Sequence, residues 1–218
     1  ATFNNPQGVA LDGRGYLWVA DSNNHTIRRI HIGTSAVTTV AGNPGIAGLA
    51  DGTQTAALFR SPTGIAVETE TTAQQLERSR TGQPPPPVSV IVADTANGVL
   101  RRVRENGIVE TIGAAPSAVI APQLRKDGAR VSRAVTTEVT FSSPSAVAVD
   151  PSGTIYVTEP AAGRLRAILQ NGSLVPATQP RTFSNPRGLA LNEAGRLTVT
   201  GNGTGQVRFG APQILSIT

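Results

Sequence analysis

The wording FNNPQGVAL at residues 3–11 returns three times, as FRSPTGIAV (59–67), FSSPSAVAV (141–149) and FSNPRGLAL (183–191). Each copy has a phenylalanine, a proline after a short gap, and an apolar-Ala-apolar run that follows a small residue. Repetition at this scale limits a chain to stacked or radial arrays, because one such unit cannot bury its own apolar face. Each copy is followed by a second apolar run (LWVAD, VIVAD, IYVTE, LTVTG) and, after a polar loop, a third (TIRRI, VLRRV, RLRAI, QVRFG). A closing run completes each unit: AVTTVAG, GIVETIG, GSLVPAT and QILSIT. Short runs separated by Gly, Asn and Asp predict four antiparallel strands per unit, a to d, joined by tight turns.

A unit of that kind is one propeller blade. The sequence therefore predicts an all-β fold, a β-propeller of four blades, each a four-stranded antiparallel sheet. The blades span residues 3–42, 43–113, 114–178 and 179–218 of a single domain, 1–218. The inner strands are expected at 8–11, 64–67, 146–149 and 188–191, since strands crowded round an axis need small side chains. The pattern resembles the NHL repeat family, with NNHTIRRI (23–30) and AGLADGTQTAALFRSPTGIAV (47–67) close to its typical wording. The copies depart from it at Ala146, where the others have Gly, and at Gly201, where they have an acid. The resemblance implies rings of six blades more often than four. An uncovered apolar face costs about 25 cal/mol per Å². The four units are thus expected to belong to a longer chain or a repeating assembly whose neighbours cover the ends.

With 218 residues and 39% hydrophobic content the chain can bury a substantial core. No run reaches the roughly 18 apolar residues of a membrane helix, so no membrane insertion is expected. ATFNNPQG lacks the basic and apolar regions of a signal peptide. The lack of methionine predicts a processed protein or a piece of a longer one. Zero cysteine removes disulfides, thiolate zinc sites and cysteine nucleophiles. A net charge of +5 is compatible with a polyanionic partner, although all the basic residues but Lys126 are arginine.

His25 sits in VADSNNHTIRRI, a polar loop where the other units carry Gly98, Gly163 and Gly205 or its neighbours. It reads as an ordinary loop residue. His25 and His31 without a carboxylate cluster make a poor metal site. An acid at the end of strand b precedes an arginine on strand c by seven residues in three units: Asp21 and Arg28, Asp94 and Arg101, Glu159 and Arg166. These are expected to be structural ion pairs across the b–c hairpin. The fourth unit has Gly201 before Arg208 and lacks the acid. GNGTG (201–205) joins two strands and opens no helix, so it is not read as a phosphate loop.

Two insertions interrupt the regular scaffold. Residues 68–87, ETETTAQQLERSRTGQPPPP, begin polar and end in Pro84, Pro85, Pro86 and Pro87, an extended polyproline segment suited to docking or to hydroxyproline glycosylation. Residues 114–140 form a second loop whose Arg125, Lys126, Arg130 and Arg133 could contact a polyanion. Three Asn-x-Ser/Thr acceptors, Asn24, Asn171 and Asn202, fall in predicted turns. Asn24 and Asn202 are expected to be glycosylated before Asn171, whose Asn-Gly turn is constrained. Together these features predict a non-enzymatic scaffold or protein-interaction module of an extracellular or cell-surface assembly, covalently glycosylated. Its partners would be proteins or copies of itself. No catalytic residue, metal or cofactor is assigned. Two readings compete with it: a cytoplasmic propeller binding RNA or another polyanion, and a metal-dependent propeller lyase or hydrolase. Scarce exposed aromatics weigh against the first, and the histidine count against the second.

Overall fold

The structure, a computed structural model, describes residues 1–68, 70–112, 119–124, 130–135, 140–176, 183–192, 196–201 and 208–210. Its first sheet joins β1 (Pro6–Leu11), β2 (Tyr16–Asp21), β3 (Thr26–His31) and β4 (Val37–Ala41) as an antiparallel meander. The second contains β5 (Gly52–Thr53), β6 (Pro62–Glu68), β7 (Ser89–Asp94), β8 (Val99–Arg104) and β9 (Ile108–Ile112), in the order β5-β9-β8-β7-β6. Between β6 and β7 lies α1 (Thr72–Thr81). A separate hairpin, β10 (Val119–Leu124) and β11 (Arg130–Val135), precedes the third sheet. That sheet is β12 (Val147–Val149), β13 (Ile155–Glu159), β14 (Arg164–Ile168) and β15 (Leu174–Pro176), again a meander. The fourth has β16 (Pro186–Leu191), β17 (Leu197–Gly201) and β18 (Arg208–Gly210); the run QILSIT lies outside the described residues.

Three findings correct the sequence reading. The start of the 68–87 insertion is a helix. Thr71 caps it by accepting from the Gln74 N–H while the Gln74 side chain accepts from the Thr71 N–H, and Gly82 ends it in a left-handed conformation. The second blade has five strands, because Gly52–Thr53 pairs with Val109 and Ile108 and covers its outer edge. Part of the 114–140 insertion is a paired hairpin rather than a loop.

Alternation along the strands places the core between blades. Val90 and Val92 on β7 pack with Trp18, Ala20 and Ile27 of the first blade, while Ile91 and Ala93 pack with Ile155 and Val157 of the third. Tyr156, Leu165 and Ala167 pack against Leu197 and Val199 of the fourth. The inner strands approach most closely at glycine. A Cβ on Gly8 would stand 2.2 Å from the Thr63 carbonyl oxygen, and one on Gly64 2.2 Å from that of Ser145.

In the first three blades the b–c connection is a short 3₁₀ turn, at residues 22–24, 95–97 and 160–162, closed by a left-handed residue. That residue is Gly98 (φ 67°) and Gly163 (φ 60°), but His25 (φ 57°) in the first blade. A left-handed non-glycine residue is strained. The imidazole adds a contact that glycine lacks, since His25 Nδ1 accepts the Ser61 N–H at 3.1 Å and ties the first blade to the entry of β6. His25 therefore occupies a repeat position.

Candidate functional site

The charged residues of strands b and c form one cluster per blade in the first three blades. Asp21, Asp94 and Glu159 are fully buried at the ends of β2, β7 and β13. Arg28 meets Asp21 at 3.4 Å, Arg101 meets Asp94 at 3.1 Å, and Arg166 Nη2 meets Glu159 at 2.8 Å. Each carboxylate also accepts a backbone N–H from the residue after the repeat phenylalanine: Asn4 at 2.8 Å, Arg60 at 2.8 Å and Ser142 at 2.6 Å. Each arginine in turn donates to the carbonyl before that phenylalanine, those of Thr2, Leu58 and Thr140. The guanidinium groups lie 4.7, 5.0 and 4.4 Å over the rings of Phe3, Phe59 and Phe141. The phenylalanine that opens each of the first three units is thus clamped to the b–c hairpin by charge, hydrogen bond and ring contact together. The sequence reading found the acid and the arginine but missed the ring. Its signal was the common spacing from Phe to Arg in units one, three and four, which the insertion in unit two breaks.

The clusters differ in electrostatics. Burial pushes the Glu159 carboxyl up, but Arg164, the Ser142 N–H and Arg166 overcome it and hold it below its ordinary value. Its stabilising contribution is therefore complete above the ordinary glutamate range, about 4.3, and is lost as pH falls through the depressed folded value. Asp94 has the opposite sign. Burial raises its carboxyl, and Asn97, the Arg60 N–H and Arg101 only partly counter it. At Gly201 a Cβ would stand 2.4 Å from the Ser184 carbonyl oxygen, so backbone occupies the space an acid's side chain needs in the other blades.

A second repeated device fixes the strand-b rings. Asp12 accepts the Arg14 and Tyr16 N–H groups and the Trp18 indole N–H (3.1 Å). Asp150 likewise accepts the Ser152 and Thr154 N–H groups and the Tyr156 hydroxyl (3.1 Å). Burial and the neighbouring Asp150 charge both raise the Tyr156 phenol, so it stays a neutral donor. Trp18 and Tyr156 are buried, which removes them as stacking platforms.

Where the four inner strands converge they line an opening of about 290 Å³. The residue after each repeat proline contributes to it: Gln7, Thr63, Ser145 and Arg187. Thr63 Oγ1 donates to the Ser145 carbonyl at 2.9 Å, and Gln7 donates to Asn5. Arg187 is exposed and, among the described residues, has no ion pair or hydrogen bond. Among the described residues no group of three or more His, Cys, Asp or Glu side chains gathers in a form that could hold a metal.

The remaining sequence candidates are scattered. Pro84, Pro85, Pro86 and Pro87 are all exposed, and with Glu70, Gln74 and Glu77 they line a groove of about 650 Å³. Asn24 donates its side-chain amide to Asp21 at 2.8 Å, and the Thr26 of its acceptor triplet is buried. Asn171 and Ser173 are both exposed. Asn202, Arg125 and Lys126 lie outside the described residues, and of Arg130 and Arg133 only their place on β11 is described.

The NHL repeat model matches residues 3–30, the span from the first repeat phenylalanine through β3. Residues 3–30 thus resemble an NHL repeat. A search of curated proteins finds no sequence match. Among solved structures the chain is similar to one in a nidogen/laminin complex, at 15% identity and TM-score 0.62, covering 96% of this chain and 61% of that one. It is also similar to a gluconolactonase from Xanthomonas campestris, at 14% identity and TM-score 0.58, covering 95% and 58%. A Bacteroides thetaiotaomicron protein of unknown function has 16% identity and TM-score 0.58, covering 94% and 46%. The chain spans less than two thirds of the length of these structures. Likeness at such identities shows the fold, a β-propeller, and its neighbours include a gluconolactonase and a chain of a protein complex.

Proposed function

We propose that this chain is a non-enzymatic propeller module that serves as an interaction scaffold in an extracellular or cell-surface assembly. The observation that carries the reading is the opening where the inner strands converge. Gln7, Thr63, Ser145 and Arg187 offer an amide, two hydroxyls and a guanidinium. None of these is a general base at neutral pH or a strong ligand for a hard metal. The buried acids Asp21, Asp94 and Glu159 are each engaged by arginine and backbone N–H within a blade, away from that opening. Many of the arginines are similarly engaged, for Arg28, Arg78, Arg80, Arg101, Arg102, Arg104, Arg164 and Arg166 all meet carboxylates. That pairing favours the scaffold over a polyanion-binding surface. The nidogen/laminin likeness supports the choice as an instance of the fold in a protein complex.

The test is an assay with glucono-1,5-lactone in the presence of calcium or zinc. The expected result is hydrolysis at the buffer rate. Metal-dependent turnover that a chelator abolishes would overturn the reading. On location, the geometry favours Asn171 over Asn24 as the glycosylated residue, reversing the order expected from the turns. Mass spectrometry of protein from its natural source should find a glycan at Asn171 and none at Asn24. A glycan at Asn24 would require the Asp21 cluster to open, and bare asparagines at all three acceptors would contradict the extracellular placement.

A further inference from the structure

The insertion between β6 and β7 is tied to three blades, yet from residue 70 to 87 it buries no described side chain. At its start Glu68 receives Arg102 of the same blade at 2.8 and 2.7 Å and the Ser89 hydroxyl at 3.0 Å. Thr71 caps α1 and lies against the third blade, where a Cβ on Gly153 would stand 3.3 Å from its methyl group. Glu70 and Arg78 meet at 3.2 Å, and Arg14 of the first blade donates to the Pro86 carbonyl at 3.0 Å. Val88, which follows the prolines, is buried in the core between the first two blades. Ordering such a segment costs conformational entropy that burial of its own side chains does not offset. What it presents is a groove of about 650 Å³, with residues 84–87 as one wall and Glu70, Gln74 and Glu77 on the other.

We propose that this groove docks a tryptophan or tyrosine side chain carried by a protein partner. The proposal rests on the scaffold reading and names the chemistry of its partner. Each proline ring fixes φ and turns the residue before it away from helix, so four in succession hold an extended ridge of three residues per turn. Proline has no N–H, and the ridge therefore offers ring faces and carbonyls that only accept. On the facing wall the carboxylates of Glu70 and Glu77 keep lone pairs beyond the one arginine that each meets. A groove of proline rings and acceptors is complementary to a flat ring with a donor at its tip, which describes indole and phenol. Every wall comes from one insertion that its contacts already hold in place, so docking orders little of this chain.

The test is a titration of the whole chain with N-acetyl-tryptophanamide, followed by NMR. Gln74 and Gln83 both line the groove, and their side-chain amide signals should shift saturably, while N-acetyl-leucinamide should give no saturable shift. A double variant, Pro84→Ala with Pro87→Ala, should lose the response with an unchanged circular dichroism spectrum, since both prolines are exposed. Leu76→Ala, at an exposed position of α1 outside the groove, should keep it. No saturable shift, an equal response to the leucine probe, or a double variant that binds like the wild type would overturn the proposal. Tighter binding of free tryptophan than of its N-acetyl amide would overturn it too, by assigning the groove to a free amino acid. The lactone assay is independent of these results, so failure of the groove and failure of the scaffold reading are separately visible.

Discussion

Arg101→Met is expected to cost about 3–5 kcal/mol of stability, the range for breaking a buried ion pair by removing one partner. Arg101 is fully buried. It contacts Asp94 at 3.1 Å, Asp51 at 2.7 Å and the carbonyls of Leu58 and Ala50 at 2.9 and 2.6 Å. Methionine keeps much of the stem's volume against Phe59 but leaves the Asp94 carboxylate buried with only neutral donors, Asn97 and the Arg60 N–H. In thermal unfolding a domain of this size should lose roughly 10 °C or more. In a double-mutant cycle with Asp94→Asn the two losses should fall well short of additive, because one cluster contains both groups. A change below about 0.5 kcal/mol would mean that Arg101 is not structural.

Gly64→Ala is the second large effect, expected at about 3 kcal/mol or more from overpacking that no rotamer can relieve. The added methyl group would lie 2.2 Å from the Ser145 carbonyl oxygen and 2.9 Å from Ala146 Cα, both backbone, so two inner strands must separate. Gly13→Ala is the control. Gly13 has φ +70° and nothing within 4 Å of the added Cβ, so only the left-handed backbone is penalised, by about 1–2 kcal/mol. Equal losses at the two positions would show that β6 and β12 do not pack as closely as described.

The strands were legible because each inner run repeats the same small and apolar wording, and four agreeing copies outweigh the ambiguity of any one. The helix α1 was not legible from periodicity. TAQQLERSRT has a single large apolar residue, Leu76, and that is 64% exposed, so no apolar stripe marks the helix. Thr71, Gln74 and Gly82, its capping signature, were the readable sign. The edge strand Gly52–Thr53 is too short to leave a pattern. In the clusters the acid-to-arginine interval was visible because both residues flank one tight hairpin. The phenylalanine stack was hidden because it joins the hairpin to the segment that opens the same unit. His25 looked chemical by residue type, yet backbone conformation explains its place, and only the structure reveals its bond to Ser61.

The repeated charges of the first three blades hold the propeller's hairpins to the segments that open each unit. Urea unfolding of four single variants, Arg28→Met, Arg101→Met, Arg166→Met and Arg187→Met, tests it most directly. The first three arginines lie over phenylalanine rings and against buried acids, so their loss should cost about 1–3 kcal/mol at Arg28 and Arg166, with Arg101 the most severe. Arg187, exposed at the opening, should change stability by less than about 0.5 kcal/mol. Four variants of indistinguishable stability, or an Arg187 variant as damaged as the others, would contradict the account.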